Sequence, residues 1–224
     1  MRLVAAFIVL GVLVGCGGTP KPRVSPSPTD DAGRARLLVL TQADLPEGWR
    51  SSRYKSDPVS AREDKKLATC IGAPDPATSQ TADVFGDVFG QGAQTITSEA
   101  VFMRTQPDAA KAAAAVKGAR AIACATSSVR PVLAEQLRLQ GVSAKIRSIA
   151  VTRHVLPLKG FVSGFRVVVN LAASGAAITV QEDVIVLARG RAQVRATFVD
   201  VGIAFPPALE LSLMRKLATK LERS

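Results

Sequence analysis

Few side chains in this 224-residue chain are able to carry out acid–base or nucleophilic chemistry. The single histidine, His154, lies between Arg153 and Val155 in a segment whose alternation predicts a strand. Glu182 and Asp183 are adjacent carboxylates, but neighbouring residues of a strand point to opposite faces of the sheet, so they cannot share one proton-transfer site. One histidine cannot build a multi-histidine metal site. The sequence therefore predicts no catalytic residue, no metal site and no cofactor.

The motifs of common enzyme classes are absent from the sequence as well. It contains no Gly-x-Ser-x-Gly elbow, no Walker loop, no Gly-x-Gly-x-x-Gly after a strand and no His-Glu-x-x-His. We interpret His154 as an ordinary sheet residue. Aromatic residues make up only 4% of the chain, which disfavours stacking platforms for nucleic acid. The sequence favours a protein that is not an enzyme and has no nucleic-acid partner.

The N-terminus has the features of an export signal. Residues 3–14 form an apolar run behind Arg2 that would reach only about 18 Å as a helix, short of the roughly 30 Å core of a bilayer. The residues Leu13-Val14-Gly15-Cys16 resemble the lipobox of bacterial lipoproteins. That resemblance implies cleavage before Cys16, acylation of Cys16 and anchoring at the extracytoplasmic face of the cell membrane. A plain secretory signal with a chance cysteine is the alternative.

The chain is divided by composition into three parts: a signal peptide over 1–15, an acylated cysteine with a tether over 16–33, and one globular domain over 34–224. The tether holds four prolines among Ser, Thr and Asp. Such a segment favours extended geometry of about 3.1 Å per residue, which would hold the domain up to roughly 50 Å from the membrane. Loss of Arg2 with the signal lowers the formal net charge from +11 to +10.

Cys70 and Cys124 remain when Cys16 is set aside. Outside the cytoplasm, two thiols in one domain usually form a disulfide. A redox pair and a metal site are the alternatives, but the chain has no Cys-x-x-Cys and its histidine is distant in sequence. A bridge that closes a loop of about 54 residues is expected to stabilise the fold by roughly 4 kcal/mol.

The excess of basic residues is concentrated after the first helix and around a predicted hairpin. We predict an anion-binding surface formed by Arg50, Arg53, Lys55, Arg62, Lys65, Lys66, Arg189, Arg191 and Arg195. Anionic lipid headgroups would gain about 1 kcal/mol per cation near the surface, and acidic envelope polymers are a second class of partner. A solvated basic face without a dedicated partner is the alternative.

The elements that position these residues follow from the spacing of apolar side chains. Helices are predicted at 32–40, 61–70, 105–124, 131–140 and 206–221. Strands are predicted at 82–89, 95–104, 145–156, 164–173, 177–188 and 191–201.

Tight turns join the last four predicted strands, so the sequence favours an antiparallel meander. A slip in the apolar pattern between Ile146 and Ile149 predicts a bulge. The predicted class is α+β: a single antiparallel β-sheet with a C-terminal four-strand meander, helices packed on one face, and one disulfide.

The order of these features resembles a known group of proteins. It runs from a helix to Asp44-Leu-Pro-Glu-Gly-Trp49, a cysteine pair, a helix that starts Thr105-Gln-Pro-Asp-Ala-Ala110, four long strands and a final helix. This layout resembles small envelope lipoproteins of mycobacteria and related actinobacteria, and it is distantly similar to the extracellular sensor domains of mycobacterial serine/threonine kinases. The resemblance implies a domain that presents a cleft to a ligand. Those sensor domains usually carry two disulfides, whereas this chain has one pair available.

Three functions remain open at this point. The first is a membrane-anchored lipoprotein with a non-catalytic, sensor-like domain that binds a lipid, a glycan or an unknown protein partner. The second is a structural or assembly factor of the cell envelope. The third, less favoured, is an envelope hydrolase, which would need His154 or a carboxylate pair in a cleft beside a nucleophile.

Overall fold

The structure, a computed structural model, describes residues 30–55, 58–139, 141–173, 175–202 and 204–224. The predicted signal peptide and Cys16 lie outside the described residues. Residues 31–33, assigned to the tether by composition, belong to the first helix, whose N-cap is Asp30.

The described residues form six α-helices and eight β-strands. The helices are α1 Asp31–Leu38, α2 Pro58–Ile71, α3 Pro76–Ser79, α4 Gln106–Lys117, α5 Arg120–Leu139 and α6 Pro207–Glu222. The strands are β1 Arg50–Ser52, β2 Gln80–Phe85, β3 Val88–Gln91, β4 Gln94–Met103, β5 Ala144–Arg153, β6 Phe161–Ala173, β7 Ala176–Arg189 and β8 Ala192–Val201. None of the described helices is long and apolar enough to cross a membrane.

All eight strands belong to one antiparallel sheet. Its order is β1-β3-β4-β8-β7-β6-β5, and β2 pairs with β4 off this path. The predicted meander is present as β5 to β8, and the predicted bulge is present where the β5–β6 register shifts between Ile146 and Ser148. The α+β class and the single antiparallel sheet are confirmed.

Helices cover both faces of this sheet, so the prediction that they pack on one face is wrong. Side chains alternate along a strand, and neighbouring residues of β7 enter different cores. Ile185 and Leu187 pack with residues of α1 and α6, on what we call the α6 face. Val180 and Val184 pack with α2 and α5, on the opposite α5 face. The central strands are buried on both sides, which hides the alternation that would have revealed two faces.

The α6 face holds the aromatic part of the core. Trp49 and Phe205 have ring centroids 6.3 Å apart, and Phe205 lies 5.1 Å from Phe198. Three leucines of α6, spaced by four residues, form a stripe buried in the same cluster as these rings: Leu213, Leu217 and Leu221. The final helix is thus fixed by apolar packing against the sheet.

The α5 face is aliphatic apart from Phe165, and it carries the predicted disulfide. Cys70 of α2 and Cys124 of α5 are bonded, with an S–S distance of 2.02 Å. The helix predicted over 105–124 is two helices that meet at Gly118, so Cys124 lies early in α5 rather than at the end of a long helix.

Arg153 explains why α4 stops at this position. Its guanidinium donates hydrogen bonds to the carbonyl groups of Val116, Lys117 and Gly118, at 2.9, 2.8 and 2.8 Å. Carbonyl groups at the end of a helix lack partners within the helix, and a basic side chain satisfies them.

The strand predicted over 82–89 is likewise divided, into β2 and β3 at Gly86. A Cβ atom on Gly86 would lie 3.0 Å from the Ser98 hydroxyl and 3.1 Å from Val39. A larger residue would fit here only if these neighbouring side chains moved by a few tenths of an ångström. This break places β2 and β3 on different parts of β4.

Candidate functional site

A small recess on the α5 face lies between the sheet and α4. Its walls are apolar, and α4 contributes Ala112 and Val116. Its polar residues include Gln80, Glu99 and Arg195, from β2, β4 and β8. Its volume is about 50 Å³. We call it the Glu99 recess.

The register of the sheet brings the charged residues of the recess together. Glu99 is directly opposite Arg195 in the β4–β8 ladder, where facing side chains lie within contact distance. The Arg195 guanidinium forms a salt bridge with the Glu99 carboxylate. Both side chains are largely buried, with exposed fractions of 12% for Arg195 and 3% for Glu99. The opposite charges of this pair cancel, but its polar groups lie within an otherwise apolar face of the sheet.

A second carboxyl group, that of Asp83, adjoins the pair. Asp83 is opposite Val101 and Phe85 is opposite Glu99, so the two acids occupy diagonal positions on β2 and β4. The two carboxyl groups are close enough to interact, and Asp83 adds to the rise in the pKa of Glu99. Burial raises the pKa of Glu99 well above its ordinary value, although Arg195 opposes this, and burial also raises the pKa of Asp83. The pair therefore keeps a proton at a pH where exposed carboxyl groups have lost theirs.

Three buried polar atoms of the recess have no hydrogen-bond partner among the described residues. They are Gln80 Nε2, Glu99 Oε1 and Arg195 Nη1. Buried polar atoms of folded proteins nearly always have partners, since an unsatisfied one costs about 1–3 kcal/mol. Two potential donors and one oxygen that lack partners at the same recess are the arrangement expected where a ligand supplies the missing bonds.

Glu182 is a further buried acid on the α5 face. It is 2% exposed, and neither carboxyl oxygen has a partner among the described residues. Burial raises its pKa well above the ordinary value, with Arg195 opposing and Asp183 adding to the rise. Glu182 does not line the recess. Its neutral form is the one that the surrounding apolar side chains favour.

Asp183 enters the opposite face, as the sequence predicted for two adjacent strand residues. Arg166 Nε and Nη2 donate to its two carboxylate oxygens at 2.7 and 2.9 Å. His154 follows the last residue of β5, and its Nε2 lies 2.6 Å from Glu210 Oε1 on α6. This contact joins the end of β5 to α6. It lies across the sheet from the Glu99 recess.

The structure divides the nine predicted anion-binding cations into two groups. Arg191 donates to both carboxylate oxygens of Asp31, at 3.0 and 2.9 Å, and Arg195 is bonded to Glu99. Both cations therefore have internal partners, which sequence alone did not reveal. The other seven are exposed on β1, α2 and adjoining segments and at the end of β7: Arg50, Arg53, Lys55, Arg62, Lys65, Lys66 and Arg189.

Comparison with known sequences gives no relative: no protein-family model and no curated protein matches the chain. Solved structures do show likenesses. The chain is similar to the extracellular domain of PknH from Mycobacterium tuberculosis, with 9% identity and a TM-score of 0.43 over 87% of this chain and 98% of that one. It is also similar to LpqN, involved in cell envelope biogenesis of the same organism, with 16% identity and a TM-score of 0.30 over 80% and 78% of the two chains.

A third likeness is to a Pseudomonas aeruginosa protein of unknown function described as a putative regulator. Identity is 13% and the TM-score 0.23, over 65% of this chain and 85% of that one. The first two structures agree with the distant resemblance to mycobacterial sensor domains that the sequence predicted. The function of this chain is argued below from its own residues.

Proposed function

We propose that this protein is an extracytoplasmic lipoprotein whose domain binds a ligand without transforming it. The lipobox-like residues before Cys16 support the lipid anchor at the cell membrane. The Cys70–Cys124 disulfide supports an oxidising compartment, because such bonds are rare where cellular thiols stay reduced. The observation that carries ligand binding is the set of three unpartnered buried polar atoms in the Glu99 recess.

The size of the recess limits what enters it. A single water needs roughly 10–15 Å³ of such a cavity, and the recess has about 50 Å³. An end group of about four non-hydrogen atoms therefore fits, while the rest of the ligand lies outside it. The ligand is thus a larger molecule that inserts a small head group.

The charges of the recess favour an uncharged polar head group. Glu99 and Arg195 form an ion pair, so an added ion would be buried without a counter-charge, at high cost. Gln80 Nε2 and Arg195 Nη1 are donors, and Glu99 Oε1 is the third atom to be satisfied. A carboxamide or a sugar hydroxyl, which both donates and accepts, matches this set.

The geometry favours binding over hydrolysis. The Asp83–Glu99 pair supplies the carboxyl groups that a hydrolase would need, but a positioned nucleophile does not accompany it. The one hydroxyl group lining the recess, that of Ser79, donates to the Asp75 carbonyl at 2.7 Å. His154 lies on the α6 face and cannot activate Ser79 as a base.

The exposed cations fit a second contact, with anionic lipid headgroups or acidic envelope polymers. Seven remain exposed, although Arg62 and Lys66 also bind Glu63 at 3.0 and 2.7 Å. Each cation held near an anionic surface contributes about 1 kcal/mol. This contact would orient a tethered domain rather than provide specificity.

Native mass spectrometry of the protein purified from its own host tests the proposal. We expect acyl chains in the covalent mass and a bound small molecule in the native spectrum. Ala112→Phe places a ring in the recess and is expected to remove the bound molecule. Ala110→Phe is the matched control, because Ala110 is exposed on the same helix.

A wild-type spectrum without a bound molecule, or one whose bound molecule survives Ala112→Phe, contradicts ligand binding in the Glu99 recess. An intact mass without acyl chains contradicts the anchor. The two results are independent, so one part of the proposal can fail without the other.

A further inference from the structure

Three side chains with metal-binding atoms meet on the α6 face, across the sheet from the Glu99 recess. His154 follows β5, Asp183 is in the middle of β7, and Glu210 is in the first turn of α6. One potential ligand atom from each lies within 4.8 Å of the other two. Three separate elements of the fold thus direct one imidazole and two carboxylates to the same point.

The backbone around His154 allows only a glycine at position 164, on the neighbouring strand β6. The His154 amide donates to the Gly164 carbonyl at 3.0 Å, which continues the pairing of the two strands past the end of β5. A Cβ atom on residue 164 would lie 2.2 Å from the His154 carbonyl oxygen. Gly164 therefore lets the β5 chain approach β6 closely enough to hold the imidazole over Glu210.

Asp183 is held in place by neighbouring donors. Arg166 binds both of its oxygens, and Gln181 Nε2 donates to Asp183 Oδ2 at 3.0 Å. Oδ1 accepts a single bond and retains a lone pair. Carboxylates that bind metals are commonly oriented by such donors, which fix the ligand before the ion arrives.

Glu210 gives an independent indication of a missing partner. It is 1% exposed, and its Oε2 is buried without a hydrogen-bond partner among the described residues. His154 satisfies only Oε1. A carboxylate oxygen buried without a partner is costly, and a cation would supply the interaction that the protein does not.

We propose that His154, Asp183 and Glu210 form a binding site for a divalent transition-metal ion such as Zn²⁺. One nitrogen and two carboxylate oxygens are a donor set that Zn²⁺ accepts, with a water in the fourth position. With a neutral imidazole, the two carboxylates and Arg166 leave one negative charge, which favours a cation over an anion. His154 is 18% exposed and provides the side from which ion and water enter.

The distances require only small rotations of the side chains. Bonds of about 2.0–2.1 Å in a tetrahedral site place ligand atoms about 3.3 Å apart. The His154–Glu210 pair would open from 2.6 Å, and the remaining separations, at most 4.8 Å, would close. The sequence prediction of no metal site weighed the single histidine and the cysteine pair and left out the carboxylates that the fold brings to His154.

The single histidine makes the test specific. The full chain, prepared without a histidine tag and treated with a chelator, is titrated with zinc chloride while the imidazole signals are followed by ¹⁵N NMR. We expect the ring nitrogens of His154 to shift and to saturate at one equivalent. Zinc bound elsewhere, for example by Cys16, leaves these signals unchanged, and unchanged signals overturn the proposal.

Variants of α6 provide the second arm. Glu210→Gln removes a ligand while keeping the shape, and we expect zinc affinity to fall by at least tenfold, as for other changes at metal sites. Glu222→Gln is the matched control at the exposed end of the same helix and should stay within twofold of wild type. Equal affinities of the two variants overturn the assignment; should Glu210→Gln fail to fold, the wild-type imidazole titration decides alone.

Discussion

The two faces of the sheet treat neighbouring carboxylates in opposite ways. Asp183 is 0% exposed, and its two oxygens accept hydrogen bonds from Arg166 and Gln181 on the α6 face. Glu182, the preceding residue, is 2% exposed on the α5 face with neither oxygen bonded. A buried acid is tolerated either when a cation pairs with it or when it keeps its proton. Pairing with a cation fixes the orientation of the carboxylate, whereas keeping the proton leaves polar atoms available for further hydrogen bonds.

The same contrast extends to the packing of the two faces. The α6 face has large aromatic side chains around Trp49 and Phe205, together with the continuous leucine stripe of α6. The α5 face has mostly smaller aliphatic side chains with one aromatic ring, Phe165, together with a recess and several polar atoms that lack partners among the described residues. A covalent bond joins two of the helices on this second face. The face that is shaped for a ligand is therefore the one that depends on a disulfide.

Removal of the disulfide should have the largest effect and tests that dependence. The double variant Cys70→Ala, Cys124→Ala frees a loop of 54 residues and is expected to lower the free energy of unfolding by about 4 kcal/mol. Urea denaturation followed by Trp49 fluorescence measures the change. Reduction of the wild-type protein should reproduce it. A double variant within about 1 kcal/mol of wild type would show that the α5 face is stable without the bond.

Loss of the Asp183 charge should have the next largest effect, because it breaks a buried ion pair. Asp183→Asn leaves Arg166 without its carboxylate, and we expect the free energy of unfolding to fall by about 3 kcal/mol. Asp87→Asn is the control, since Asp87 is exposed in the turn between β2 and β3. Equal stabilities of the two variants would mean that the α6 face does not rely on this pair.

Glu182→Gln should have the smallest effect, with the opposite sign. The ordinary pKa of 4.5 is raised in the folded state, so the folded protein binds more protons than the unfolded chain above about pH 4.5. Stability is therefore complete below that pH and is lost as the pH rises through the folded-state pKa. The Gln variant lacks this loss and should be more stable than wild type by roughly 1 kcal/mol at pH 8.

The measurement for Glu182 is a pair of urea denaturation curves at pH 5 and pH 8. The advantage of Glu182→Gln over wild type should appear at pH 8 and shrink at pH 5. Glu47→Gln, at an exposed position, should show no such difference. A Gln variant that is less stable than wild type at pH 8 would mean that the Glu182 carboxylate is stabilised by a partner after all.

The parts of the fold that follow local rules were predictable from the sequence. Turns after β6 and β7 place Gly175 and Gly190 at positive φ, 82° and 58°, which glycine adopts without strain. The meander, its bulge and the stripe of α6 follow from such signals. The number of sheet faces covered by helices could not be predicted in this way, because a strand that is buried on both sides shows no alternation of polar and apolar residues.

The candidate site was harder to predict because it depends on strand pairing. Glu99 is the only charged residue between Asp87 and Arg104, and a lone charge within a long strand was the one available signal. Its partners could not be named without knowing that β4 lies between β2 and β8. The break at Gly86, which lets β2 and β3 pair with different parts of β4, was not predicted either.

Arg153 and His154 are adjacent in the chain, and each of them contacts one of the two proposed sites. Arg153 holds the carbonyl group of Val116, a residue of the recess wall, while the next residue along the chain contacts Glu210 on the far side. The side chains of these two adjacent residues therefore lie on opposite faces of the sheet. Binding at one site alters the affinity of the other only where it shifts this dipeptide, and in that case each ligand must alter the affinity of the other by the same factor.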